Sequence, residues 1–159
     1  MTKHNILSLI IIVVLCFGAA GLGSLFTSQS VSTWYPTLNK PSWTPPSWLF
    51  APVWTLLYLL MAISGWLLWK QRSDPLALGL LILFAIQLVL NAGWSGIFFG
   101  MRQPGWAIAD IVLLWAVIGW YTIQVREISV AASLLFLPYW IWVTFATVLN
   151  ASVWWLNRS

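Results

Sequence analysis

Five apolar runs, at approximately residues 5–27, 50–69, 76–100, 105–125 and 129–156, take up most of this chain of 159 residues. About 20 apolar residues in a helix cross the roughly 30 Å hydrocarbon core of a bilayer, and each run is long enough. Backbone groups in lipid have no water to bond, so such runs cross as helices. What remains is tails and connections, too little for a soluble domain. The charge supply agrees: seven Lys/Arg and three Asp/Glu make up 6% of the chain, against about 25% in globular proteins. The sequence therefore predicts a single all-α domain over residues 1–159, an integral membrane bundle of five transmembrane helices.

The same scarcity excludes several chemistries. His4 is the only histidine and Cys16 the only cysteine. A Ser-His-Asp triad, a His/Cys zinc site and a disulfide framework all lack their parts, so no metal site is expected. The formal charge of +4 is scattered singly between apolar runs. That pattern fits membrane anchoring and not a nucleic-acid footprint.

Short connections at Lys70–Pro75, Arg102–Gly105 and Arg126–Glu127 predict that consecutive helices pack as antiparallel neighbours. The first connection, residues 28–49, is different. It holds Pro36, Pro41, Pro45 and Pro46 together with Trp34, Trp43 and Trp48. The prolines forbid a regular helix, and the indoles forbid a simple hydrophilic linker; an ordered lid over one end of the bundle is expected. The first run follows Lys3 and contains Gly18-Ala19-Ala20, as a cleavable signal would. Its apolar character continues to Phe26, longer than a signal core, so it is read as a retained helix. Lys3, Lys70, Arg72 and Arg126 fall on one side, Lys40, Arg102 and Arg158 on the other. This favours a cytoplasmic N-terminus with the Trp/Pro-rich loop and C-terminus outside.

Three constellations carry the chemistry. The first runs from Trp34-Tyr35-Pro36 through Pro41-x-Trp43-x-Pro45-Pro46 to Pro52-x-Trp54 and Tyr58. Its loop indoles suit an interfacial belt as well as a pocket lid, whereas Trp54 and Tyr58 share a helix face inside the span. The second places Gln87, Asn91 and Ser95 at four-residue spacing beside Trp94 and Phe98. Such a polar stripe must face helices or a cavity, as interhelical glue or as a ligand anchor. The adjoining Gly96 and Gly100 mark a close contact, within the chain or between protomers. The third comprises Pro138, where a kink is expected, Tyr139, Trp142, Ala146, Asn150 and Trp154; ring, gap and amide suit a flat ligand and a tight helix crossing equally. Asp110, the only acid within a span, is expected near the interface or bonded by an indole N–H. Val117, Tyr121 and Arg126 fit a loose sterol pattern, and equally a belt tyrosine and a snorkelling arginine.

Pro41-x-Trp43-x-Pro45-Pro46, Pro52-x-Trp54, Asn91-x-x-Trp94-Ser95-x-x-Phe98 and Pro138-Tyr139-x-x-Trp142-x-x-x-Ala146-x-x-Leu149-Asn150 resemble the translocator protein family. It is also called the tryptophan-rich sensory protein or peripheral-type benzodiazepine receptor family. The resemblance implies a five-helix bundle, often a homodimer, that binds porphyrins and other flat hydrophobic ligands. It would place the pocket at Tyr35, Trp54, Asn91, Trp94, Trp142 and Ala146; the residue reading adds Trp43, Tyr58, Phe98 and Asn150. Animal members bind cholesterol through a Tyr-containing motif where this chain has Ala151-Ser152. That departure leaves a high-affinity cholesterol site doubtful and points to a bacterial-type member in a bacterial cell membrane.

The expected function is a membrane receptor or sensor for tetrapyrroles, with porphyrin as ligand and no cofactor. Indoles Trp54, Trp94 and Trp142 would stack on the macrocycle, Asn91 would give a directional hydrogen bond, and Lys40 or Arg102 would meet the propionates. No span contains a histidine, so no axial ligation of haem iron is expected. The first alternative is light- and oxygen-dependent porphyrin degradation with Trp54 and Trp142 as redox-active candidates. The second is transport, which five unequal spans without an internal repeat do not favour.

Overall fold

The computed structural model describes residues 3–158. It contains five long helices: α1 (Lys3–Val31), α2 (Phe50–Lys70), α3 (Ala77–Ser95), α4 (Pro104–Val125) and α5 (Val130–Leu156). All five are long and apolar enough to cross a membrane, and no strand occurs among the described residues. Local chemistry sets the ends. Pro104 opens α4, where its missing N–H is no loss. Ser129 caps α5 by accepting from the Ala132 amide at 3.2 Å. Pro138 lies inside α5, which remains helical on both sides of it.

Two ends differ from the expected spans. Helix α1 continues past Thr27 to Val31, which shortens the lid. Helix α3 closes with a π-helical turn over Gly96–Gly100, widened by one residue; the Met101 amide reaches back to the Gly96 carbonyl at 2.8 Å. The two glycines are packing positions within the chain. A Cβ on Gly100 would come within 2.9 Å of the Phe26 ring, and one on Gly96 within 3.6 Å.

The helices form a closed ring in the order α1, α2, α5, α4, α3 and back to α1. The expectation that consecutive helices are nearest neighbours fails for α2 and α3. These two touch, but α2 packs mainly on α1 and α5. The reason lies at the end remote from the lid, where the core is densely aromatic. Tyr121 and Phe136 stand 4.4 Å apart between ring centres, with Phe84 about 6 Å from both. The Ser64 hydroxyl on α2 donates to the Ala132 carbonyl on α5 at 2.8 Å, and Ser133 donates to the Thr122 carbonyl on α4 at 2.8 Å. Tyr121 is fully buried, so it is neither a belt residue nor part of a lipid-facing sterol pattern.

Close packing here depends on missing side chains. A Cβ on Gly119 would meet the Trp140 ring at 2.7 Å, whereas one on Gly79 meets nothing within 4 Å. Overpacking costs about 1–3 kcal/mol, more than the roughly 1 kcal/mol gained by Ala over Gly in a helix. Gly119→Ala is therefore expected to lower the thermal midpoint of the full chain in detergent. Gly79→Ala should leave it unchanged or raise it, at the same scan rate.

Candidate functional site

At the lid end the ring does not fill. A cavity of about 570 Å³ lies between α1, α2, α3 and α5 beneath the connection that follows α1. Its walls include Trp54 and Tyr58 from α2, Trp94 from α3, Phe98 from the π turn, and Trp142 and Ala146 from α5. Tyr35, Asn91 and Asn150 also border it. Each aromatic wall is braced from behind. Trp54 packs against Tyr58 and Tyr139 at 5.7 and 6.1 Å; Trp94 stacks on Phe98 at 5.2 Å; Trp142 packs on Phe50 and Phe145 at 6.1 and 5.4 Å. The three indoles expected to form a slot thus share one cavity.

The polar stripe of α3 is both glue and wall. The Tyr58 hydroxyl donates to Asn91 Oδ1, and Asn91 Nδ2 donates to the Tyr139 hydroxyl at 2.8 Å. One level nearer the lid, Trp94 Nε1 donates to Asn150 Oδ1 at 2.9 Å, and Asn150 Nδ2 donates to the Pro104 carbonyl at 2.8 Å. These two junctions join α2, α3, α4 and α5. Asn91 therefore spends its carbonyl and one amide proton inside the protein, while it still borders the cavity and keeps a second amide proton without an acceptor among the described residues. Gln87, a turn further along, is fully buried with neither amide atom bonded among the described residues.

The lid is pinned. Two 3₁₀ turns, Tyr35–Thr37 and Ser47–Leu49, fold it, and the Lys40 ammonium donates to the carbonyls of Tyr35 and Leu38 at 2.8 and 2.9 Å. Asn39 and Asn157 exchange two hydrogen bonds of 2.9 and 2.8 Å, fastening the lid to the end of α5. Ser30 ties the end of α1 to the Phe99 carbonyl at 2.7 Å. Tyr35 is carried into the cavity wall, and burial pushes its phenol above its ordinary pKa. It stays a neutral hydrogen-bond donor across the physiological range.

Several expected placements are corrected. Trp43 does not border the cavity; it packs edge-on against Phe145 at 5.8 Å and is otherwise exposed. Lys40 is engaged by backbone carbonyls, and Arg102 lies in a separate groove, so neither cation faces the cavity. Asp110 stands against α3 near Gly93, its Oδ2 buried and without a partner among the described residues, so no indole satisfies that oxygen. The sequence reading also missed a whole wall. Phe17, Gly21, Ser24, Thr27 and Ser28 of α1 border the cavity, and their only signal is a run of small residues at helical spacing. Gly21, Ser24 and Ser28 are exposed as well, as are Ala51 and Thr55 of α2. The cavity is open, not sealed, along the seam between these two helices.

Asn91→Ala strips the partners from two buried phenols. Interhelical bonds in membranes average about 0.6 kcal/mol, and an orphaned buried group costs about 1–3 kcal/mol. The variant is expected to unfold several degrees below the parent, with Asn91→Asp or Asn91→Gln falling between them in thermal scans.

The sequence comparisons agree with this geometry. Residues 10–156 match the TspO/MBR family. The chain is 43% identical over 162 residues to the tryptophan-rich protein TspO of Chlorobaculum tepidum, covering 98% of this chain and 99% of that one. It is 42% identical over 157 residues to the tryptophan-rich protein TspO of Archaeoglobus fulgidus, covering 96% and 99%. The human translocator protein is 40% identical over 135 residues, covering 84% of this chain and 80% of the human one. Family, five apolar helices and ringed cavity together make this a multi-pass integral membrane protein, and the chain belongs to the TspO/MBR family.

Proposed function

We infer that the protein is a membrane receptor or sensor that binds porphyrins and similar flat hydrophobic ligands in the cavity beneath the lid, serving tetrapyrrole homeostasis or stress regulation. The observation that carries this reading is the convergence of Trp54, Trp94 and Trp142, from three helices, on one cavity of about 570 Å³. That volume lies within the roughly 300–1,000 Å³ typical of ligand pockets. Aromatic stacking adds about 0.5–1.5 kcal/mol per favourable pair beyond the burial of area. Tyr35 is the neutral donor best placed for a polar edge of the ligand. Neither His4, at the start of α1, nor Cys16 borders the cavity, so a metal-free macrocycle is the expected guest. A prokaryotic membrane belongs to the same reading, supported by the bacterial and archaeal relatives and by Ala151-Ser152 in place of the sterol motif; the homodimer rests on the family resemblance alone.

Protoporphyrin titrated into the detergent-solubilised protein should quench tryptophan fluorescence saturably. Trp142→Phe is expected to weaken binding about two- to tenfold, and Ala146→Trp, which fills the gap, by more. Unchanged affinity in Ala146→Trp would remove the cavity as the site.

One observation favours a second reading, light- and oxygen-dependent porphyrin breakdown. Trp54 and Trp142 both border the cavity, and Trp54 stands within about 6 Å of two tyrosine rings. Under illumination in air, and at porphyrin concentrations that saturate it, the Trp54→Phe/Trp142→Phe variant should then still bind with a modest loss of affinity but lose porphyrin bleaching. Bleaching that persists in it would eliminate a redox role for these indoles.

A further inference from the structure

A second concavity lies at the lid end but outside the ring of helices, bordered by Arg102, Gly105, Trp106, Trp154, Asn157 and Arg158 among others. It shares no residue with the ligand cavity. No acidic side chain among the described residues borders it. The chain holds only Asp74, Asp110 and Glu127 as acids. Asp74 and Glu127 fall in the connections at the opposite end, and Asp110 is on α4 but not in the groove.

The fold fixes the backbone of Arg102 and the side chain of Arg158. Arg102 has φ of 55°, the left-handed region that favours glycine. That conformation lets the Gln103 amide close on the Ile97 carbonyl at 3.1 Å, which ends the π turn. A non-glycine residue kept in that conformation is a candidate for function. Arg158 lies 3.1 Å from the centre of the Trp155 ring and 5.7 Å from that of Trp154. Neutral donors join them. The first turn of α4 carries no acid and no side-chain cap. The Gly105 and Trp106 amides have no acceptor among the described residues. Gly105 leaves room for the Trp154 indole nitrogen, which stands 2.8 Å from where a Cβ would be.

This combination suits a phosphate: forked guanidiniums, an indole N–H and the free amides of a helix N-terminus. The surroundings select the form in which phosphate arrives. Met101, Trp106, Trp155 and Leu156 are all exposed around the groove, an apolar skirt where acyl chains would lie, with indoles at headgroup level. We propose that this groove binds the headgroup of an anionic phospholipid, its phosphate held by Arg102 and Arg158 and its chains lying against the outer faces of α4 and α5.

The test uses the full chain, delipidated in detergent, and native mass spectrometry against equimolar phosphatidylglycerol and phosphatidylcholine. The parent should retain phosphatidylglycerol preferentially. Each cation near a membrane surface is worth about fivefold in binding. Arg158→Gln and Arg102→Gly should therefore each cut the preference about fivefold, and the double variant should abolish it. Arg102→Gly suits the left-handed backbone, and unchanged phosphatidylcholine retention reports that each variant is folded. Equal retention of both lipids by the parent, or an undiminished preference in the double variant, overturns the proposal. Inorganic phosphate forms the other arm: saturable binding as tight as that of phosphatidylglycerol would identify a free-anion site and overturn the lipid assignment.

Discussion

Polar side chains inside a lipid-embedded bundle have few partners except one another, and beside the cavity of this protein they meet at two junctions. Tyr58, Asn91 and Tyr139 tie α2, α3 and α5; Trp94, Asn150 and the Pro104 carbonyl tie α3, α4 and α5. Helices in a bilayer gain nothing from hydrophobic burial against each other, and they close up through dispersion and small residues. A gap between them forfeits those contacts on every lining atom. The junctions fix the separation of the helices at one end, and the large rings braced behind them cannot collapse inward. The cavity follows from where the bundle is tied.

The two ends of the molecule divide the labour. Away from the lid, Phe84, Tyr121 and Phe136 interlock and glycines let Trp140 and Phe84 come close. That half is a rigid base. At the lid end, α1 is joined to the π turn through Ser30 and Phe99, while Asn39 and Asn157 fasten the lid to α5. The lid is held by these polar contacts and by Trp34, Tyr35 and Trp43 packing on Phe98, Phe99 and Phe145, and opening it breaks those without disturbing the base.

The five spans were legible because apolar length is a direct physical requirement of the bilayer. The wall from α3 was legible because an amide stripe cannot face lipid, and those from α2 and α5 because rings share one helix face and match the family's motifs. Three things were not. The α1 wall is built from Gly21, Ser24 and Ser28, small residues whose contribution is the space they leave, and such residues carry no chemical signature. The ring order depends on contacts between segments distant in the chain, such as Ser64 with Ala132, about which short connections are silent. In the lid, proline-rich backbone has no periodicity, so only the family resemblance pointed to Tyr35 in the wall, and nothing told that Trp43 turns to Phe145 instead. Lys40 was misjudged for the same reason, since its carbonyl partners exist only once the lid is folded.

The open seam between α1 and α2 has a thermodynamic consequence. Gly21, Ser24, Ser28, Ala51 and Thr55 border the cavity and the outside at once, so a guest bound there would exchange with the hydrocarbon phase beside it. The relevant reservoir is then the mole fraction of guest dissolved in the membrane or micelle, not its total concentration in the tube. Dissociation constants for strongly partitioning compounds will rise in proportion to the amphiphile added, and comparisons between compounds hold only after their partition coefficients are divided out.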